Sequence, residues 1–361
     1  MKRIYFLLAL ALAVSCNSSK PEGKPIINLV GDIITDVNNP QHSLVADYNE
    51  ADPAKSIYVA GAPKRCKPIL MSLKSCDGHD NGDGRFAGDG LPDFSGEVIC
   101  TILDFANTPY DRFLREGKED KLKEITVRTV LSAMDTLCYI NEFDKNGVAT
   151  KPRAKVVVLA SPYASEFGQF DVDSMFRVLG CKLPVVYPLR SMLDEVFEGR
   201  NSGAVVGVVA EKDSLTARSY SSYVAEKGPA GSDCVVLAAD PSAPDPLLAF
   251  LDSCLVAGKT RPFDAILVDD TSVDADAMRR TLRRITMAGN EESLSYGKLI
   301  APGCRILDVL STVNAECYRL LRKDNLFRHD IAYPRSIEYK TVATSDGTIV
   351  LTQYDDGDPL Q

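Results

Sequence analysis

Short segments that are apolar at nearly every position, each followed by a loop and an amphipathic helical run, are what most restrict this chain. VICTILDF (Val98 to Phe105), KVVVLA (Lys155 to Ala160), AVVGVVA (Ala204 to Ala210), CVVLAAD (Cys234 to Asp240) and AILVDD (Ala265 to Asp270) all fit the pattern. A strand apolar on both faces must be covered on both faces, and alternation with helices is how a parallel sheet achieves that. The rhythm predicts an α/β protein. At 361 residues the chain exceeds what one hydrophobic core organises, so two doubly wound parallel-sheet domains (three-layer αβα) with a cleft between them are expected.

The first domain is expected over 96–199 and the second over 200–295, with the boundary in the polar turn Glu198 to Gly203. Residues 296–361 carry a long helix and a closing strand, SIEYKTVA, expected to return to the first domain. Residues 17–95 are a tether and extension assigned to neither domain. Within them IINLVGDIITDV and SIYVAGAP read as strands, while NNPQHS and NEADPAK read as turns.

The formal net charge is −9, and lysines and arginines are scattered. A nucleic-acid partner needs a concentrated positive face, so none is expected. Residues 1–16, MKRIYFLLALALAVSC, place Lys2 and Arg3 before an apolar run too short to span a bilayer, the build of a secretory signal. The segment Leu12-Ala13-Val14-Ser15-Cys16 resembles a bacterial lipobox. That resemblance implies lipidation at Cys16, a membrane partner through the anchor, and a place in the cell envelope; Asn17 after the cysteine favours the outer membrane. Of ten cysteines, Cys100, Cys138, Cys254 and Cys317 fall in core patterns, whereas Cys66 and Cys76 flank a loop and are candidates for a disulfide in an oxidising compartment.

Ligands of open parallel sheets bind beyond the carboxyl ends of the strands. Those positions hold Asp104, Asn107 and Tyr110 after the first strand, Ser161 and Tyr163 after the second, Asp213 after the third, and Asp269 with Asp270 at the end of FDAILVDD. These residues are the expected cleft lining. Glu211 and Lys212 fall at the same edge. Asp274 and Asp276 start a helix and are expected to cap it. Two carboxylates ~4 Å apart repel by about 4 kcal/mol at an effective dielectric of 20, so an acidic mouth calls for a cation: Arg190, Arg218, a metal or a ligand amine.

Two family resemblances follow from these segments. KVVVLASPYASEFGQFDVDSMFRVLGCKLPVVYP, AVVGVVAEKDSLTARSYSSYVAEKG and FDAILVDD resemble type I periplasmic solute-binding proteins and the related lac-repressor-type sugar-binding domains, over roughly Glu97 to Ala343. That resemblance implies a small polar ligand held between the domains. VVVLASPYAS and AILVDDT resemble the two cysteine motifs of aspartate/glutamate racemases. In this chain Ser161 stands where the first thiol belongs, and Asp269 or Asp270 where the second does. A serine without an adjacent base is a poor proton acceptor.

SCDGHDNGDGRFAGDGLPDFSGE crowds Asp77, Asp80, Asp83, Asp89 and Asp93 into a Gly-rich loop, a candidate calcium site by its hard oxygens. It also reads as a plain turn-rich loop. The spacing departs from the EF-hand, since counting from Asp77 puts Gly88 where a bidentate Glu belongs. No other cofactor is expected. The primary expectation is therefore a lipid-anchored extracytoplasmic protein binding a small polar ligand in its cleft; the alternative is a diverged racemase-like isomerase or lyase acting on an amino acid or related acid.

Overall fold

The structure is a computed structural model that describes residues 25–143, 147–240, 242–287, 289, 291–328, 330 and 332–354. The signal-peptide, Cys16 and tether readings over residues 1–24 lie outside the described residues. Among those described, no helix is long and apolar enough to cross a membrane.

Two sheets form, in two lobes. In chain order the strands are β1 (Ser56–Gly61), β2 (Val98–Leu103), β3 (Leu137–Tyr139), β4 (Val148–Thr150), β5 (Ala154–Leu159) and β6 (Val185–Val186), then β7 (Val205–Ala210), β8 (Asp233–Ala238), β9 (Phe263–Asp269), β10 (Ile300–Asp308), β11 (Arg335–Ala343) and β12 (Ile349–Tyr354). The first lobe carries an eight-stranded sheet ordered β4-β3-β12-β11-β2-β1-β5-β6, and the second a four-stranded sheet ordered β10-β9-β7-β8. The second sheet is parallel throughout. In the first, β11, β2, β1, β5 and β6 run parallel, and the β11–β12 and β3–β4 pairs are antiparallel. Strands β1, β2, β5 and β7 are buried at every position, which is why their sequences show no alternation: helices cover both faces. The chain is thus a mixed α/β protein with parallel sheets flanked by helices.

The stretch left unassigned from sequence supplies the centre of the first sheet. SIYVAG is β1, and it lies between β2 and β5. IINLVGDIITDV is a helix, Asn28–Thr35, in place of the expected strand; Val30 and Ile33 bury against the first lobe, a three-residue spacing that suits a helical stripe. The closing SIEYKTVA pairs with β2 as part of β11. Two segments tie the lobes: residues 198–204, and the helix Val309–Lys323, which packs on both Pro63–Ser75 and Pro188–Phe197.

Candidate functional site

The carboxyl ends of β1 and β5 face those of β7 and β9. At the tip of β1 the chain turns through Gly61 at φ +145°, a conformation other residues rarely adopt, and enters the helix Pro63–Ser75 with Pro at its first position. Cys66, Ile69, Leu70 and Leu73 form that helix's buried stripe. Its first turn therefore projects Lys64 and Arg65 over the sheet edge toward the second lobe. Pro68 has no N–H to give the Lys64 carbonyl, and that carbonyl instead accepts from Thr271 Oγ1 of the second lobe at 3.3 Å.

Arg65 fills the mouth. Its Nε donates to the Ala160 carbonyl at 2.6 Å, just past β5, while Nη1 and Nη2 donate to the Asp269 carbonyl at 2.7 Å and to Asp269 Oδ1 at 2.5 Å. Glu211 Oε1 lies 3.6 Å from Nη1. One guanidinium thus joins the ends of three strands from two lobes, with its side chain 3% exposed and that of Asp269 1% exposed. Burial alone would weaken the guanidinium's hold on its proton, but the charges of Asp269 and Glu211 reverse that and raise it.

The other Asp269 oxygen accepts from Tyr220 Oη at 2.6 Å, and burial followed by the Asp269 charge holds that phenol well above its ordinary value. Glu211, at the end of β7, is buried, yet it meets Lys64 Nζ at 3.2 Å; Lys64 also reaches Asp213 Oδ2 at 2.6 Å. Burial raises the Glu211 carboxyl above its ordinary value, Arg65 and Lys64 pull it down, and Asp270 pushes it up again. The side chains of Lys64 and Asp213 are 52% and 51% exposed, so this end of the network meets water.

The remaining expected lining residues sit at the same edge but mostly satisfy one another. Asp104 accepts from Asn107 Nδ2 at 2.9 Å, Tyr110 Oη at 2.9 Å and Thr341 Oγ1 at 2.5 Å. Ser161 caps the helix Pro162–Phe167 by accepting from the Tyr163 amide at 3.2 Å. Tyr163 Oη donates to the Asp213 carbonyl at 2.6 Å and bonds Thr216 Oγ1 at 2.6 Å; burial pushes this phenol up to about 12, against the Thr216 bond. Asp270 turns away from Arg65, its Oδ1 accepting from Ser272 N at 2.8 Å and Ser272 Oγ at 2.5 Å. Asp274 caps the helix Ala275–Thr286.

Several expectations are corrected here. The cation of the mouth is Arg65, whereas Arg190 and Arg218 line a groove outside it. The strand tips do converge, but the protein's own side chains, Arg65 foremost, occupy the meeting point.

The loop aspartates point at backbone amides. Asp77 takes those of Asp89 and Gly90, Asp80 those of Gly82 and Asp83, Asp83 that of Arg85, Asp89 those of Asn81 and Leu91, and Asp93 those of Gly78 and His79. Those bonds satisfy the turn-rich reading, and among the described residues no group of three or more His, Cys, Asp or Glu can hold a metal. Cys66 and Cys76 are free thiols at opposite ends of one helix. Ten residues of helix separate them by about 15 Å, too far for a bridge.

No family model matches the chain, and no curated protein matches it. Solved structures similar to it include the glutamate racemase of Thermus thermophilus in complex with beta-chloro-D-alanine (14% identity, TM-score 0.44, covering 82% of this chain and 91% of that one), a glutamate racemase of Bacillus anthracis (12%, 0.45, 80% and 89%) and the aspartate racemase of Picrophilus torridus (11%, 0.38, 75% and 94%). The primary expectation is corrected on the site's own geometry: the mouth that a solute-binding protein would leave for its ligand is filled by Arg65. Neither the comparisons nor the described residues support the lipoprotein, outer-membrane and solute-binding readings.

Proposed function

We propose that the mouth between the lobes is a diverged racemase-like acid–base site, acting as an isomerase or lyase on an amino acid or related acid, with Glu211 as its proton carrier. What supports this is Glu211 itself: a buried carboxyl at a strand tip, raised by burial, in contact with one fixed cation and one exposed cation. A group that exchanges protons near neutral pH needs such a shift. The thiol positions are otherwise engaged: Ser161 caps a helix, Asp269 is tied to Arg65 and Tyr220, and Asp270 accepts from Ser272.

In the proposed step the ionised Glu211 takes the α-proton. The C–H bond breaks, an O–H bond forms on Glu211, and the electron pair stays on the substrate, where Lys64 offsets the new negative charge. Delivery of a proton from water to the opposite face gives isomerisation; collapse of the pair into a Cα–Cβ double bond, as a β-substituent leaves with its own bonding electrons, gives elimination. Both begin with α-proton loss, so the test is deuterium exchange. Incubation of single amino acids of both hands in D2O should show loss of the α-proton signal by NMR, and Glu211→Gln should slow it about 100-fold or more. Complete retention of the α-proton in every amino acid tried would remove the proposal.

A further inference from the structure

The mouth is closed, and the way into it is a separate question from what happens inside. Two kinds of contact hold the lobes at the strand tips. Arg65 is buried and bonded to both lobes. The short helix Pro162–Phe167 is different. It begins at Ser161 on the edge of the mouth and ends at Gly168, where a Cβ would lie 2.1 Å from Thr126 Cβ; the absent side chain lets the helix end lie directly on the helix Glu119–Met134.

Its grip on the second lobe combines the burial of the Tyr163 ring in a core shared with Ala217 and Tyr220 with a few discrete bonds. Glu166 Oε2 accepts from the amides of Arg218 at 2.6 Å and Ser219 at 3.0 Å, at the start of the helix Ser219–Lys227. Tyr163 Oη bonds the Asp213 carbonyl and Thr216. On the outer side lies a groove of about 380 Å³ whose lining includes Glu166, Arg190, Arg218, Ser222 and Tyr223. A Glu166 carboxylate that lets go of the two amides thus has water and two guanidinium groups close by.

We propose that the Pro162–Phe167 helix is a lid: it swings off residues 213–219 while Arg65 keeps the lobes together, and that movement admits a small molecule to the strand tips. Cys66 reports the movement. Its thiol is fully buried, and both its Sγ and the Ser161 amide lie 3.8 Å from where a Cβ on Gly61 would stand, so reagent reaches it once the lid leaves. The inference concerns access alone and stands or falls independently of the role given to Glu211.

The test is N-ethylmaleimide labelling of the full chain, read cysteine by cysteine by peptide mass spectrometry. Glu166→Ala removes both amide bonds and should speed modification of Cys66 about ten-fold or more. Cys254, buried in the core of the second lobe, should keep its wild-type rate. Equal acceleration at both cysteines, or none at either, overturns the lid. Should the variant fail to fold, hydrogen exchange in the wild type gives the answer: the Arg218 and Ser219 amides should exchange well ahead of those in β7, and exchange of both only on global unfolding would overturn it.

Discussion

Among the described residues, buried ionic clusters lie at opposite ends of the central strands, and they are built for different purposes. At the amino end of the first sheet Lys155 Nζ meets Glu97 Oε2 at 2.7 Å, with both side chains fully buried. Lys155 also donates to the carbonyls of Leu326 and Pro53 at 2.7 and 3.0 Å, and Glu97 accepts from the Arg328 amide at 2.8 Å. Everything in that cluster belongs to the first lobe and its covering segments. Burial pushes the Glu97 carboxyl up and the Lys155 ammonium down, each opposed by the other's charge. At the carboxyl end, the Arg65 cluster draws on both lobes and runs out to solvent through Lys64 and Asp213. The first can be hydrated only by unfolding the lobe, whereas the second can be hydrated by parting the lobes.

That contrast is sharpest when one partner is removed. Lys155→Met should leave Glu97 buried without a counter-charge and cost about 3–5 kcal/mol in global stability, read by denaturant unfolding. Arg65→Met strands Asp269 and Glu211 in the same sense, but water can reach them if the lobes separate, so a global loss of about 1–3 kcal/mol is expected. Small-angle scattering should register the more open shape. Equal losses with an unchanged radius of gyration would erase the distinction between a sealed and an accessible cluster.

The same contrast explains what could be read from the sequence. The strands β2, β5, β7 and β9 announce themselves because burial on both faces leaves them almost wholly apolar. Their polar tips are then easy to find, and Asp104, Ser161, Asp213 and Asp269 do stand at one edge. Arg65 escaped because its strand, although read as one, was placed in neither domain. SIYVAG is as apolar as the others, but it is followed by a helix that begins PKRCKP, with a second proline inside it and no acidic residue in its first turn, which reads as a loop. The Asp77–Asp93 loop left two readings open, because aspartates that bond backbone amides in turns have the same composition as a cation-binding loop, and the direction of each carboxylate supports the turn-rich reading. The meeting of Glu166 with the helix Ser219–Lys227 joins residues 52 and 53 positions apart, and no local pattern announces it.

A smaller change probes the lid from its other contact. Tyr163→Phe removes the hydroxyl that bonds the Asp213 carbonyl and Thr216 and keeps the ring in place, so about 0.5–1.5 kcal/mol is expected. The loss should fall on local opening. Amides of residues 161–168 should lose protection while those of β5 keep theirs; a uniform loss across the lobe would assign Tyr163 to the core instead.

The smallest effect is a dependence of the lid on pH, and its sign follows from which state holds the proton better. Burial raises the Glu166 carboxyl above its ordinary value, the amides and charge of Arg218 and the Ser219 amide pull it down, and Glu119 pushes it up. Lys123, Arg190, Asp171 and Glu226 also face the groove from neighbouring helices. Once the lid opens, Glu166 is hydrated and returns to an ordinary carboxyl, about 4.3. The closed form therefore binds the proton more tightly than the open one. By linkage its advantage is complete below the ordinary value and fades as pH rises through the raised one. Protection factors of the Arg218 and Ser219 amides, which discount the intrinsic pH dependence of exchange, should thus fall on going from acid toward neutral pH. In Glu166→Gln the profile should be flat, and a wild-type profile that rises with pH would mean that the two amide bonds outweigh the cost of burying the charge.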